Sequence, residues 1–150
     1  MKLDIRQITS GEDELILRYK EITPVIRRIM DAANGESGRL VGKKDEGRVV
    51  VNTDDVLYFE SVDDKTFAYT AGDVIRVDSS LQGVLELIND IRFFRCSKSM
   101  IININKVKLL KSLSSNRIDA TLENGEHILI SRTYASDFRK LLKGGASGGR

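Results

Sequence analysis

Apolar and polar residues alternate along most of this chain in short runs that are typical of β-strands. Clusters of Asn, Asp, Gly and Ser separate the runs, and such clusters favour turns. Because strands joined by short turns pair side by side, the pattern predicts a mainly β fold built from antiparallel sheets. The predicted strands are residues 40–43, 48–51, 56–59, 65–70, 74–77, 107–113, 117–122 and 127–130.

Three other segments carry apolar residues at the three- and four-residue spacing of an α-helix. The first follows Thr23-Pro24, a capping residue and a first-turn proline, and stops at Asn34-Gly35. The other two predicted helices run from Ser79 or Ser80 through Ile88 and from Ser131 to Leu142. Short helices are therefore expected within a fold made mostly of strands.

The first 45 residues are predicted to form a small β-β-α extension. Residues 2–8 and 14–20 alternate as strands do, and the helix after them carries the apolar stripe Val25, Ile26, Ile29 and Met30. This stripe is larger than a lone tail needs, which supports the hypothesis that residues 1–45 mediate dimerisation or dock a partner. The alternative is that the extension simply packs on the β domain.

Length and composition fit one domain with an appendage, since the chain has 150 residues of which 41% are hydrophobic. The main domain is predicted at 46–143, and the Gly/Ser-rich residues 144–150 are predicted as a flexible tail. No apolar run reaches the length of about 18 residues that a membrane-spanning helix needs. The single cysteine excludes an internal disulfide framework and fits a reducing compartment, so we expect a cytoplasmic protein.

Charge is distributed unevenly along the chain. Residues 1–91 contain 12 Lys and Arg against 18 Asp and Glu, whereas residues 92–143 contain 11 Lys and Arg against 4 Asp and Glu. A basic C-terminal part suits a polyanionic partner. The alternative is that these charges pair with the acidic residues of the N-terminal part across the fold.

The segment Phe93–Asn103 combines two apolar pieces with a polar, basic elbow, Ser97-Lys98-Ser99. The apolar pieces favour burial as strands, and the elbow offers an ammonium group and hydroxyls at a turn. Donors presented from a loop on a rigid scaffold can hold an anion such as a phosphate backbone. Arg95 is interpreted as a partner in a structural ion pair, and Cys96 as a small, partly buried core residue.

No pattern of an enzyme or of a metal or cofactor site is present. The chain lacks a glycine-rich phosphate loop, and its single histidine, His127, has no second His or nearby Cys with which to hold a metal. The acidic pairs Asp54-Asp55 and Asp63-Asp64 lack the spacing of a calcium loop and are interpreted as turn residues. We therefore expect a protein that is not an enzyme and has no cofactor.

Several short motifs, in order, resemble the LytTR family of bacterial DNA-binding domains. The resemblance extends from about Arg48 to Leu142 and is carried by residues 56–61, 93–99, 101–107, 122–125 and 130–132. It implies an elongated, antiparallel, multi-sheet fold that binds DNA through loops. Because this chain has no room for the receiver domain that many members carry, it is similar to the stand-alone members of the family.

The resemblance also implies which residues contact DNA. They lie in a loop after Glu60, in the elbow, and at the start of the last helix, and Lys106 is a weaker candidate for a phosphate contact. The candidates are Lys65, Thr66, Ser97, Lys98, Ser99, Lys106, Ser131 and Arg132. Arg132 is the first candidate for base reading, since a guanidinium pairs bidentately with guanine. Without the resemblance, Lys65 and Lys98 would be interpreted as ordinary solvated lysines.

The implied function is that of a sequence-specific transcription regulator which binds double-stranded DNA. Family sites are paired repeats, so a homodimer is expected on adjacent half-sites. The alternative is a protein-interaction module that does not bind DNA, with a membrane protein as its partner by family analogy only. Clustering of Lys65, Lys98, Lys106 and Arg132 on one face would favour DNA binding, and scattering would favour the alternative.

Overall fold

The computed structural model describes residues 1–33, 38–88 and 90–147. The chain divides into two compact units, Met1–Ser37 and Gly38–Arg150. Within the described residues, no helix is long and apolar enough to span a membrane.

The first unit contains one helix, α1 (Pro24–Ala33). The Thr23 hydroxyl accepts a hydrogen bond from the Ile26 N–H at 3.2 Å, which confirms the predicted cap. The predicted strands at 2–8 and 14–20 are wrong, because residues 1–33, as the structure describes them, contain no strand. An isolated hairpin is only marginally stable without a sheet to pack against, so alternation alone does not fix a strand. The predicted helix stop at Asn34-Gly35 lies outside the described residues.

The second unit contains a seven-stranded sheet and a three-stranded sheet, both antiparallel throughout. The mainly β fold that the sequence predicts is confirmed. The larger sheet has the order β2-β1-β5-β4-β3-β7-β6. Its strands are β1 (Arg39–Lys44), β2 (Gly47–Asn52), β3 (Val56–Val62), β4 (Lys65–Thr70), β5 (Val74–Val77), β6 (Phe93–Ser97) and β7 (Met100–Asn103).

The smaller sheet has the order β10-β9-β8. Its strands are β8 (Val107–Leu113), β9 (Arg117–Leu122) and β10 (His127–Ile130). The three residues Ser114, Ser115 and Asn116 join β8 to β9, and Ser115 and Asn116 have the positive φ, 62° and 57°, that tight hairpin turns use. Gly125, at φ 88°, supplies the left-handed residue of the turn into β10. The antiparallel pairing of β9 with β8 and with β10 confirms the three predicted strands and the short turns between them.

Two helices complete the second unit, α2 (Leu81–Ile88) and α3 (Arg132–Ser147). Helix α3 extends to Ser147, into the segment that the sequence predicts as a flexible tail, and residues 148–150 lie outside the described part of the chain. The Gly and Ser residues there lower helix propensity without blocking backbone hydrogen bonds, since the segment has no proline.

The two helices lie on opposite faces of the seven-stranded sheet. Successive residues of a strand point to opposite sides, and the neighbours Tyr58 and Phe59 pack with different helices. On the α2 face, Phe59, Ala68 and Ile101 form a buried cluster with Leu81 and Val84 of the helix. On the α3 face, a second buried cluster joins the larger sheet to the three-stranded sheet and to α3. Its members include Tyr58, Cys96, Ile102, Leu122, Ile130, Ala135 and Phe138.

The covering of the α3 face is incomplete. Strands β3, β7 and β6 are covered, whereas β2, β1 and β5 expose their side chains on this face. Val50, Val41 and Val74 are 65%, 53% and 51% exposed there. The larger sheet therefore has an open half on the same face that carries α3.

Candidate nucleic-acid interface

The elbow between β6 and β7 is a tight turn of two residues, Lys98 and Ser99. Arg95 holds this turn from inside, because its guanidinium donates to the carbonyl oxygens of Ser97 at 3.0 Å and of Lys98 at 2.6 Å. The Ser97 hydroxyl accepts a hydrogen bond from the Ser99 N–H at 3.2 Å. Arg95 is therefore structural, as predicted, but it acts through main-chain carbonyls instead of the ion pair that the sequence suggested.

The Lys98 ammonium group takes no part in this network. It is exposed, and no carboxylate pairs with it within the described residues. Ser99 is exposed and Ser97 is half-buried, with the two hydroxyl oxygens 3.5 Å apart. The turn thus presents one unpaired ammonium group and two hydroxyls on a backbone that Arg95 fixes.

The β3–β4 hairpin lies directly beside the elbow. The Ser61 N–H donates to the Ser99 carbonyl oxygen at 2.8 Å, next to the end of β3. Lys65 stands opposite Val62 in this hairpin and is exposed, with no carboxylate partner in the described part of the chain. The link brings Lys65 to the same end of the sheet as Lys98.

The remaining features of this hairpin limit what it can contact. The predicted loop is only the two-residue turn Asp63-Asp64, whose φ of 51° and 63° are those of a type I′ turn. Both carboxylates are exposed, so the tip repels phosphate and leaves Lys65 as the hairpin's cation. Thr66 is only 3% exposed because it lies within β4, and this burial contradicts its predicted role in DNA contact.

The start of α3 meets the elbow from the other side. The Ser131 N–H donates to the Cys96 carbonyl oxygen at 2.9 Å, one residue before Ser97. The Ser131 carbonyl oxygen accepts from the N–H groups of Tyr134 and Ala135 at 3.0 and 2.9 Å, which begins the helix. Because the Ser131 N–H donates to Cys96, it is not free to bind a phosphate, and the Ser131 hydroxyl is the group that this residue can offer to DNA.

Arg132 is the first residue of α3 and is exposed. No acidic residue pairs with it within the described ranges. Its guanidinium keeps its donors available, in the fork geometry that matches phosphate oxygens or the edge of guanine. The structure therefore brings Lys65, Lys98 and Arg132 together through two main-chain hydrogen bonds.

Lys106 lies elsewhere. It follows Asn103, whose side-chain amide donates to the Val56 carbonyl oxygen at 2.8 Å, at the end of β3 opposite to Ser61. Its Nζ lies 3.8 Å from Oε2 of Glu123, and its carbonyl oxygen accepts from the Glu123 N–H at 2.9 Å. Lys106 is thus separated from the other three cations and has a carboxylate partner.

The surroundings of Cys96 and His127 indicate structural roles for both residues. Cys96 is fully buried, and burial raises the pKa of its thiol to about 12, so the reactive thiolate is scarce at neutral pH. His127 Nδ1 lies 2.9 Å from Oδ2 of Asp119. No group of three or more potential metal ligands occurs among the residues that the structure describes.

Sequence reasoning missed the two hydrogen bonds that assemble the site, Ser61 to Ser99 and Ser131 to Cys96. Both join main-chain atoms of residues far apart in the chain, and such bonds leave no trace in side-chain identity. The only available signal was the order of the motifs, which carried the resemblance but not the geometry.

Known proteins are similar to this chain in sequence and in fold. Residues 46–143 match the family model described as the LytTr DNA-binding domain. A solved LytTr DNA-binding domain from Bacillus cereus superposes with a TM-score of 0.67 at 31% identity, covering 71% of this chain and 97% of that domain.

Full-length relatives are more distant. The sensory transduction protein LytT of Bacillus subtilis is 23% identical over 129 residues, which cover 86% of this chain and 54% of the relative. LytT of Bacillus cereus is 27% identical over 99 residues, which cover 66% of this chain and 40% of the relative. The transcriptional regulatory protein YpdB of Escherichia coli is 26% identical over 100 residues, which cover 66% of this chain and 41% of the relative. The chain thus spans about half the length of the curated relatives it matches.

Proposed function

This chain belongs to the LytTR family of DNA-binding domains, and we propose that it is a transcription regulator which binds a specific double-stranded DNA sequence through the elbow, Lys65 and Arg132. The family is one of DNA-binding domains and not an enzyme class. YpdB of Escherichia coli, one of the relatives that this chain resembles, is a transcriptional regulatory protein.

The observation that carries the proposal is the assembly of three unpaired cations at one end of the larger sheet. Lys65, Lys98 and Arg132 come from three separate segments, and each is exposed without a carboxylate partner among the described residues. Nothing in the packing of the core requires these charges. Cations converging from rigid elements are suited to a phosphate backbone, which supplies several anions along one line.

The three cations have different roles in the proposed complex. Lys65 and Lys98 neutralise phosphates, because an ammonium group is a compact point charge. Arg132 enters the major groove and donates two hydrogen bonds to a guanine, because its planar fork matches that base edge. The hydroxyls of Ser97, Ser99 and Ser131 donate to phosphate oxygens beside them.

The proposed complex contains two copies of the chain on paired repeats. The first unit supports this idea, since Leu3, Ile5, Leu15 and Ile16 are 64–80% exposed and form apolar surface that a partner would cover. Replacing Leu15 and Ile16 by Ser should then convert a dimer into a monomer in analytical ultracentrifugation. An unchanged sedimentation coefficient, or a monomeric parent protein, would remove the dimer from the proposal.

The DNA-binding proposal is tested by selecting duplexes from a random library with the full chain and measuring their binding by gel shift at rising salt. We expect an enriched sequence whose dissociation constant rises steeply with salt, as phosphate contacts require. Failure to enrich any sequence would overturn the proposal and would favour a protein-interaction module. Lys140→Gln removes an exposed charge from the body of α3 and is the control for a general effect of net charge. It should bind the enriched sequence as the parent protein does.

A further inference from the structure

Three cations on neighbouring strands lie side by side on the open half of the α3 face. Lys43 of β1 is directly opposite Arg48 of β2 on one side and directly opposite Arg76 of β5 on the other. All three side chains are exposed. We call Arg48, Lys43 and Arg76 the cation row.

The cation row opposes the stability of the sheet. Like charges directly across two strands repel each other, and here both neighbouring pairs are like-charged. Lys43 has partial relief from Asp78, whose Oδ2 lies 3.2 Å from its Nζ, but both side chains are half exposed and such pairs contribute little. Arg48 and Arg76 have no carboxylate partner in the described part of the chain. A polyanion lying along the row would relieve this repulsion.

The cation row is continuous with the surface that carries Lys65 and Arg132. Arg76 is directly opposite Phe67 of β4, and Lys65 lies two residues before Phe67, so it points to the same face of the sheet. Helix α3, which begins at Arg132, packs on this face as well. The row, Lys65 and Arg132 therefore lie on one side of the seven-stranded sheet.

The spacing of the row suits a nucleic-acid backbone. From β4 to β2 there are three strand spacings, or about 14 Å. Phosphates along one DNA strand follow each other at about 3.4 Å along the axis, so this span corresponds to about four nucleotides. The three side chains of the row are all cations, which suit phosphates of the sequence-independent backbone.

We propose that the cation row binds backbone phosphates of the DNA that flanks the sequence contacted by the elbow and Arg132. This inference rests on the proposed function, since it extends the same complex outward from Lys65. The cation row adds affinity and salt dependence to DNA binding without adding a preference for particular bases. The affinity of the protein for its site therefore depends on how far the duplex continues beyond the recognised bases.

The test compares a triple variant, Arg48→Gln with Lys43→Gln and Arg76→Gln, with the parent protein. The control triple variant, Lys108→Gln with Lys111→Gln and Lys140→Gln, removes the same charge from exposed positions elsewhere. Each protein is titrated with a short duplex that holds only the selected sequence and a long duplex that adds about ten base pairs, one helical turn, on each side.

We expect the row variant to lose the advantage of the long duplex while it binds the short duplex as the parent does. Three phosphate contacts contribute about 2.7 to the slope of log affinity against log salt. Between 50 and 200 mM salt, the parent should therefore lose about 40-fold more affinity for the long duplex than the row variant loses. The control variant should follow the parent, and equal urea midpoints show that the variants are folded.

Two results would overturn the inference in distinguishable ways. If the row variant and the control variant bind the long duplex equally well, with equal slopes, the row is not a DNA surface and the proposed function stands. If the parent protein binds neither duplex, the proposed function fails and the inference fails with it.

Discussion

The N–H of Ser131 donates a hydrogen bond to the carbonyl oxygen of Cys96 at 2.9 Å, which fixes the first turn of α3 to the strand that leads into the elbow. Ser131 precedes Arg132, and Cys96 lies two residues before Lys98. This single bond therefore sets how a guanidinium from a helix and an ammonium group from a hairpin stand relative to each other. Packing of Phe138 against Phe94, with ring centroids 5.3 Å apart, supports the same junction.

Arg132 and Lys98 should differ in what their loss does to DNA binding. Arg132→Ala should cost on the order of 1–3 kcal/mol on the selected sequence and relax preference at one base pair, because a bidentate contact to a base edge is lost. Lys98→Ala should weaken all duplexes alike and lower the salt slope by about 1. Gel shifts with the selected duplex and its single-base variants separate the two effects. Uniform weakening by Arg132→Ala would show that this residue binds phosphate instead.

Asn103 should be a strong determinant of stability. It is fully buried, its amide donates to the Val56 carbonyl oxygen at 2.8 Å, and its side-chain oxygen accepts from the Asn105 N–H at 3.0 Å. Asn103→Ala leaves both partners unsatisfied, which should lower the free energy of unfolding by about 2–4 kcal/mol in urea titrations. Asn105→Ala is the control, since its exposed side chain should matter by less than about 0.5 kcal/mol. Equal effects of the two changes would contradict this role.

Gly42 allows β1 to lie close against β5. A Cβ atom at this position would collide with the Ile75 side chain and would lie 2.8 Å from the Arg76 carbonyl oxygen. Gly42→Ala should therefore force the strands apart and destabilise the fold by about 1–3 kcal/mol in urea unfolding. At Gly72 a Cβ atom meets nothing within 4 Å, so Gly72→Ala should leave the urea midpoint nearly unchanged. A tolerated Gly42→Ala would mean that β1 and β5 pair more loosely than the structure shows.

Tyr58 should make the protein sensitive to alkaline pH. Burial raises the pKa of its phenol above the ordinary value of 10.0, and the hydrogen bond that its hydroxyl donates to Glu126 at 3.0 Å raises it further. Above about pH 10 the unfolded chain loses this proton while the native protein keeps it, so the free energy of unfolding falls by about 1.4 kcal/mol per pH unit. Below pH 10 this contribution is fully present.

The measurement is urea unfolding of the parent and of Tyr58→Phe at several pH values from about 9 to 11. The variant lacks the phenolic proton, so its stability should fall less steeply with pH than that of the parent. Tyr69, which stacks on Tyr58 with ring centroids 4.4 Å apart, is present in both proteins. Parallel pH profiles would show that Tyr58 ionises as easily in the native protein as in the unfolded chain.

Local signals predicted most of the second unit. Alternation at residues 127–130 and helical spacing through Ile88 were enough to locate β10 and α2, because both periodicities depend on residues close in the chain. The same reasoning failed for residues 2–8 and 14–20, where alternation is present but no sheet pairs with it. It also missed how short the Asp63-Asp64 turn is, and with it the burial of Thr66.

By itself, the sequence determined the strands and helices between residues 39 and 142, the family to which the chain is similar, and most of the candidate cations. Those properties follow from side-chain chemistry and local spacing. Only the tertiary structure decided which cations meet: it joined Lys65, Lys98 and Arg132, separated Lys106, and aligned Arg48, Lys43 and Arg76 across three strands. Strand register and main-chain hydrogen bonds between distant segments set these neighbours, and almost any side chain is compatible with such bonds.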